Sequence, residues 1–376
     1  MKNEHADFVL FKAIGVFSND FSKSNRGKQP LFEEYHKTGD INIFKYGYSM
    51  PWGKNDMIHL KGILNTYLSF LKPIIVRIYN TCYIPIKRSY NRRWTQYTRT
   101  GKIALCCIAK MENDYIRFFV EYYKNLHFDK IFIYDNNDPD GERFEDVIND
   151  YIQSGFVSII DFRGRKVAQL PAYQDCYDKY NKEYDWIAFF DCDEFLTFND
   201  DINDIHKFLS KYKFLPYQLM HINWKTYGDN DLLDNDGRNV IERFVEPLPN
   251  NTKMYYCDRL ENTQIKSIVR GGLTYVKWIQ TPHTPKCIDY HCCNPLGESV
   301  NTNSPFQNYD FSVAYIRHYS TKTIGEWVRN KMKRGIPDRS VESWKETHNL
   351  ELFFKYNRRT DEKQLYAERI LKDELE

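Results

Sequence analysis

The chain has 376 residues, and its 53 Lys and Arg residues nearly balance 51 Asp and Glu residues, which leaves a formal net charge of +2. So small a charge gives no indication of a nucleic-acid partner, and we predict none. The length allows one large or two medium domains with ample core, and no uninterrupted apolar stretch reaches the ~18 residues that a membrane-spanning helix requires.

Cysteine usage indicates the redox environment. The chain has nine cysteines, an odd number, and two adjacent pairs are found at Cys106-Cys107 and Cys292-Cys293. Adjacent cysteines rarely form regular structural disulfides, so the pattern indicates a reducing compartment. The N-terminus shows no signal-peptide pattern. We therefore expect a cytoplasmic protein.

The first segment with a distinct character is residues 57–111, which contains no Asp or Glu but many basic and aromatic side chains. Its apolar residues recur at helical spacing, with an interruption near Pro73. A basic amphipathic segment of this kind is typical of contact with anionic lipid, which would place the protein peripherally at the inner membrane face. A helix packed on the next domain with a solvated basic face explains the pattern equally well.

From Lys102 onward, strands and helices alternate regularly. Short apolar runs predict strands at residues 103–109, 130–134, 157–162 and 186–190. Apolar residues at helical spacing predict intervening helices at residues 112–126, 143–154 and 168–183. This alternation predicts an α/β fold with a mostly parallel central sheet flanked by helices.

Beyond residue 198 the alternation weakens. Further strands are predicted at residues 217–224, 266–270 and 314–319, followed by a basic helix at residues 323–333 and terminal helices within residues 341–376. We accordingly expect three parts: an N-terminal extension of residues 1–101, a main domain of residues 102–336 and a C-terminal helical tail of residues 337–376.

The fourth predicted strand ends at three carboxylates within four residues, Asp191, Asp193 and Glu194. Like charges this close repel one another unless a cation lies among them, which favours a divalent metal ion. The position agrees with this interpretation, because open α/β sheets bind ligands at the carboxyl ends of their strands. The alternative is a strand that ends in a solvated acidic turn.

Residues near the last predicted strand are candidates to complete such a site. A neutral imidazole at His318 would suit a metal site built on Asp191 and Asp193, although a lone His at a strand end is more often a core residue. The helix that follows offers cations suited to a diphosphate, or simply a solvated basic face: Lys322, Lys331, Lys333 and Arg334.

The ordered set of motifs resembles the GT-A-fold glycosyltransferases of the family-92 and family-2-like kind. The resemblance covers about residues 102–336, and it is the combination of motifs that is specific. The matching segments are residues 108–113, 132–137, Gln169 with 172–176, 185–195, Trp224 with 227–229, 242–244, 266–269, Pro282-His283, and His318-Tyr319 with Lys331 and 334–335.

What the resemblance implies is a GT-A-like, Rossmann-like fold and a metal-dependent hexosyltransferase that inverts the anomeric centre. The donor would be a nucleotide-diphosphate sugar, in the first place a UDP-sugar. The acceptor would be a glycan or lipid-linked glycan of the cell-surface polysaccharide or lipopolysaccharide type. Two alternatives stay open: a non-catalytic scaffold of a polysaccharide assembly complex, and a nucleotidyltransferase, which would release pyrophosphate.

The resemblance also implies site residues. Asp191 and Asp193 would hold Mn²⁺ or Mg²⁺, with His318 and His283 as further candidate ligands. Contacts to the donor would come from the first three strand ends and the basic helix: Lys110, Glu112, Asp135, Asn137, Gln169, Tyr173, Lys331 and Arg334. Inversion needs a general base to take the proton of the acceptor hydroxyl, and Asp229 and Glu242 are the two candidates.

Overall fold

The structure is a computed structural model, and it describes residues 82, 100–199, 202–211, 217–273, 275–287, 292–300, 304–334 and 348–373. These residues belong to the second of two compact units, residues 79–376. The basic segment predicted at residues 57–111 lies outside the described residues except for residue 82 and its last twelve residues. Within the described part of the chain, no helix is long and apolar enough to cross a bilayer.

Four parallel strands form one half of the central sheet. They are β1 (Ile103–Ala109), β2 (Lys130–Asp135), β3 (Val157–Asp161) and β4 (Trp186–Phe189), and they lie side by side in the order β3-β2-β1-β4. Three helices connect them in sequence: α1 (Asn113–Asn125), α2 (Glu145–Gln153) and α3 (Gln169–Tyr180). The predicted α/β fold with helices flanking a mostly parallel sheet is confirmed.

Both faces of this half-sheet are covered, which explains why its strands are continuous apolar runs. Along β1, Ile103, Leu105 and Cys107 point into one hydrophobic cluster, whereas Ala104 and Cys106 point into the other. Alternation to opposite faces follows from the two-residue period of a strand. Helix α1 contributes a buried stripe at helical spacing to the first cluster, with members Tyr115, Ile116, Phe119, Val120 and Tyr123.

The other half of the sheet reverses direction. β7 (Ile265–Arg270) is antiparallel both to β4 and to β6 (Leu219–Thr226). β12 (Ala314–His318) pairs in parallel with β6 and antiparallel with β5 (Glu194–Phe198). The acidic turn therefore lies between β4 and β5, and β12 ends beside it, because His318 pairs with Glu194. Four two-residue strands complete the strand set: β8 (Val276–Lys277), β9 (Lys286–Cys287), β10 (Cys292–Cys293) and β11 (Ser299–Val300).

Further helical segments come after the parallel half of the sheet in the chain: α4 (Ile205–Lys211), α5 (Val240–Arg243), α6 (Ile324–Glu326), a π-helical turn (Trp327–Lys331), α7 (Met332–Arg334), α8 (Leu350–Tyr356) and α9 (Asp361–Asp373). A third hydrophobic cluster joins α6 and the π-helical turn to the two C-terminal helices, with Trp327, Phe353 and Ala367 among its buried members. All nine cysteines are free thiols.

Candidate active site

Asp191 in the turn after β4 is held by side chains from α3 and β7. Its Oδ1 accepts hydrogen bonds from the Tyr173 hydroxyl at 2.7 Å and from Gln169 Nε2 at 2.9 Å, and its Oδ2 accepts one from Lys266 Nζ at 2.9 Å. Burial raises the pKa of Asp191, but the Lys266 ammonium and the hydrogen bonds from Tyr173 and Lys266 together outweigh burial, and the net pKa lies below its ordinary value. Asp191 is therefore an ionised carboxylate at neutral pH.

Asp193 faces the end of β12 and the π-helical turn. Its Oδ2 accepts a hydrogen bond from Lys331 Nζ at 2.7 Å, and its Oδ1 lies 3.9 Å from His318 Nε2. Burial again raises the pKa of Asp193. The Lys331 ammonium and the other nearby positive groups oppose burial, and the net pKa of Asp193 is below its ordinary value. Burial lowers the pKa of His318 to about 4, which makes its imidazole neutral at pH 7.

Glu112 connects the loop between β1 and α1, which we call the first loop, to the basic helix. It is buried before α1, where Lys322 Nζ lies 3.2 Å from Oε2 and Arg334 binds Oε1. Arg334 also donates to the Lys110 carbonyl at 3.1 Å. Burial raises the pKa of Glu112, but Arg334 and Lys322 bring it below its ordinary value.

Charged groups of both signs are concentrated in this region. We call four carboxylates the acidic centre: Glu112, Asp191, Asp193 and Glu194. Four cations contact them: Lys266, Lys322, Lys331 and Arg334. Glu194 differs from the other three, because burial raises its pKa well above the ordinary value despite Lys266 nearby.

A cavity of about 300 Å³ opens at the acidic centre. Many of the predicted site residues line it: Lys110, Glu112, Gln169, Asp191, Asp193, His283, His318, Lys331 and Arg334. Tyr173 lies behind them and reaches the site through Asp191. The structure thus brings together residues from three strand ends, one loop and the basic helix.

The remaining predicted residues lie outside this lining. Asp135 pairs with Arg163 at 2.6 Å, and Asn137 Oδ1 accepts the Met111 amide N–H at 2.8 Å, which fixes the loop that carries Lys110. The two predicted bases are also elsewhere. Asp229 Oδ2 is 2.6 Å from Lys363 Nζ, and Glu242 is exposed on α5.

Three residues have the chemistry and spacing to hold a divalent cation. Asp193, Glu194 and His318 each offer one ligand atom, and these atoms all lie within 4.8 Å of one another. Two buried polar atoms of these residues, Glu194 Oε1 and His318 Nδ1, have no hydrogen-bond partner within the described part of the chain. Carboxylate oxygens and a neutral imidazole suit ions such as Mn²⁺. The donor set therefore fits a divalent cation.

This set overlaps only in part with the predicted ligands. Asp193 and His318 belong to it, whereas both oxygens of Asp191 are occupied by protein donors. His283 Nδ1 bonds to the Ile265 carbonyl oxygen at 2.9 Å. Glu194 was given no role by the sequence, although it directly follows the acidic pair.

Sequence reasoning missed two further contributions to the site. Lys266 is a lone Lys inside an apolar strand, and this could have marked it as the partner of a buried carboxylate. Glu261, Gln264 and Tyr356 also line the cavity. They carry no motif, and Tyr356 comes from a helix 95 positions further along the chain than Glu261.

The sequence model of the family described as "Glycosyltransferase family 92" matches residues 103–365. A glycosyltransferase family 92 protein of Oryza sativa subsp. japonica is 26% identical over 123 residues. That match covers 32% of this chain and only 20% of the rice protein.

Among solved structures, the chain is similar to S. aureus TarS. The crystal structure of TarS residues 1–349 is 12% identical with a TM-score of 0.32, over 72% of this chain and 79% of that chain. Its complex with UDP-GlcNAc is 13% identical with a TM-score of 0.31, over 72% of this chain and 80% of that chain.

Proposed function

The chain belongs to glycosyltransferase family 92, and from this premise we propose that it is a metal-dependent, inverting glycosyltransferase. The proposed donor is a nucleotide-diphosphate sugar, with UDP as the nucleotide. The proposed acceptor is a glycan or lipid-linked glycan. The single observation that supports this most is the cavity at the acidic centre, where ionised Asp193 lies beside two cations, Lys331 and Arg334.

The proposed chemistry follows from where charge appears. When the bond between the anomeric carbon and the diphosphate breaks, negative charge develops on a phosphate oxygen. Lys331 and Arg334 supply fixed positive charge on the cavity wall, and stabilisation of this kind is worth most in a site that excludes water. A bound divalent cation would neutralise diphosphate charge further, and Asp193, Glu194 and His318 are the residues that would hold it.

We further propose that the nucleoside end of the donor lies along the first loop. Lys110 and Gln169 line the cavity there, and Asp135 and Asn137 fix the loop from behind. Met111 takes a left-handed backbone conformation with φ of 53°, so the loop has a defined bend next to Lys110. Lys110 Nζ is 2.8 Å from Asp138 Oδ1, a surface pair that a ligand can replace at small cost.

We further propose peripheral attachment to anionic membrane at the inner face, which rests on the sequence of residues 57–111. Vesicles containing phosphatidylserine should pellet the full-length protein at low salt and release it at high salt. Protein that stays in the supernatant at low salt contradicts the attachment.

Thermal denaturation with nucleotides tests the donor proposal. UDP and UDP-sugars with Mn²⁺ should raise the melting temperature, because a ligand at 100 times its Kd stabilises the folded state by about 2.7 kcal/mol. The rise should shrink when EDTA replaces Mn²⁺ and in His318→Gln. No rise with any nucleotide, or an equal rise in EDTA, would contradict the metal-dependent site.

A further inference from the structure

One carboxylate of the cavity takes no part in the acidic centre. Glu261 lines the same cavity as Asp191 and Asp193, yet only 6% of its surface is exposed. It begins the 3-10 turn Glu261–Thr263, directly before β7. None of the ion pairs formed by the described residues includes Glu261.

Among the described residues, the donors that hold the Glu261 carboxylate are neutral. Gln264 Nε2 donates to Oε1 at 2.9 Å, and the Tyr356 hydroxyl donates to Oε2 at 3.0 Å. Tyr356 is itself oriented, because its oxygen accepts the Tyr255 amide N–H at 3.1 Å. Two hydrogen bonds fix the direction of the carboxylate without neutralising its charge. Burial raises the pKa of Glu261 to about 7, although these hydrogen bonds lower it in part.

The backbone around Glu261 is equally well fixed. Its own N–H donates to the Thr252 carbonyl at 2.9 Å, and Asn262 Oδ1 accepts the Thr226 N–H of β6 at 3.2 Å. A rigid turn thus presents a carboxylate with no ionic partner to the cavity. Such a buried charge is costly, and a glutamine would satisfy the same two neighbours at lower cost. The presence of an acid at this position therefore points to chemistry rather than packing.

We propose that Glu261 is the catalytic base of the sugar transfer, which rests on the proposed function. Its carboxylate takes the proton of the acceptor hydroxyl, and the hydroxyl oxygen forms the new bond to the anomeric carbon. The bond from that carbon to the diphosphate breaks, and its electron pair leaves on the nucleoside diphosphate. Glu261 thereby takes the role predicted for Asp229 or Glu242, both of which lie outside the cavity lining.

Glutamine substitution tests this assignment. Full-length wild-type protein and Glu261→Gln are assayed with Mn²⁺ and UDP-glucose, UDP-galactose or UDP-GlcNAc, with water and free hexoses as acceptors. Glu261→Gln should lower kcat on the order of 10²-fold to 10⁴-fold, the usual contribution of a general base. The KM for the donor and the melting-temperature rise with UDP should stay at wild-type values. The wild-type kcat should fall below pH 7, and this acidic limb should be absent from the variant.

Two further variants separate chemistry from structure. Glu246→Gln makes the same change on an exposed residue outside the cavity lining and should leave kcat unchanged. Glu261→Asp keeps an acid but shortens it, so the base assignment predicts a higher kcat than Glu261→Gln with the acidic limb retained. A purely structural role predicts the reverse order, because glutamine preserves the shape and aspartate does not.

The outcomes also distinguish the two proposals. Wild-type transfer together with a fully active Glu261→Gln, or with an acidic limb that survives in this variant, overturns the base assignment alone. A wild-type protein that transfers no sugar and releases no UDP overturns the proposed function, and the base assignment with it.

Discussion

The acidic centre and the Glu261 turn are two parts of one cavity with opposite electrostatics. Asp193 and Glu112 are buried beside ammonium or guanidinium groups, Asp191 is partly buried beside Lys266, and each of the three has a pKa below its ordinary value. Glu261 is buried to a similar degree beside neutral donors, and its pKa rises to about 7. Burial alone therefore does not set the charge state of a carboxylate here. The neighbours decide whether it holds a constant charge or exchanges a proton near neutral pH.

The largest effect should come from breaking the acidic centre. Asp193→Ala removes the buried carboxylate that pairs with Lys331, whose side chain is only 12% exposed, and this should cost about 3–5 kcal/mol of unfolding free energy. Urea denaturation measures this change, and sugar transfer should be lost in parallel. Asp150→Ala, which removes an exposed partner of Arg117, is the matched control and should change stability little. Equal stability of the two variants would contradict the importance of the buried pair.

A paired carboxylate outside the cavity, Glu326, should make the unfolding free energy depend on pH. Burial raises the pKa of Glu326, but Arg243 and Lys322 bring it down to about 2. Because the folded pKa is below the unfolded value near 4.5, the pair stabilises the fold above pH 4.5, and this contribution disappears as pH falls towards 2. The loss should amount to about 3 kcal/mol.

Glu326→Gln isolates the contribution of Glu326 ionisation to the unfolding free energy. Its unfolding free energy should be lower than that of the wild type at pH 7, and the difference should narrow as pH falls below 4.5. A difference that stays constant from pH 7 to pH 3 would show that ionisation of Glu326 does not contribute.

The Glu261 turn should respond with the opposite sign and a smaller effect. Its folded pKa of about 7 lies above the unfolded value, so stability is full below pH 4.5 and decreases as pH rises through 7. Glu261→Gln removes this cost, and a flip of the Gln264 amide preserves both hydrogen bonds. The variant should thus be about 1–3 kcal/mol more stable than wild type at pH 8 and nearly equal at pH 4.5. A variant that is less stable than wild type at pH 8 would contradict the raised pKa of Glu261, which distinguishes this turn from the acidic centre.

The sequence predicts the acidic centre better than the Glu261 turn for a physical reason. Strands buried on both faces must be continuous apolar runs, so β1 to β4 were located correctly, and Asp191 and Asp193 follow from the end of β4. Lys266 reaches Asp191 only because β7 runs antiparallel beside β4, which strand prediction does not reveal.

Glu261 depends on still more distant parts of the chain. Its environment is made by Gln264 three residues away and by Tyr356 from α8, which belongs to the predicted C-terminal tail. A pKa near 7 arises from their neutrality and from burial, and neither is visible in a local motif. The predicted bases Asp229 and Glu242 were chosen by resemblance, and in the structure one is paired with Lys363 and the other is exposed.

Analysis of the reaction products tests the central claim most directly. Full-length protein is incubated with Mn²⁺, UDP-sugars and free hexose acceptors, and the products are identified by chromatography and proton NMR. We predict release of UDP and a product with inverted anomeric configuration, and loss of both in Asp193→Asn. Release of pyrophosphate, retention of configuration, or unchanged turnover in Asp193→Asn would contradict a transferase that works at this acidic centre.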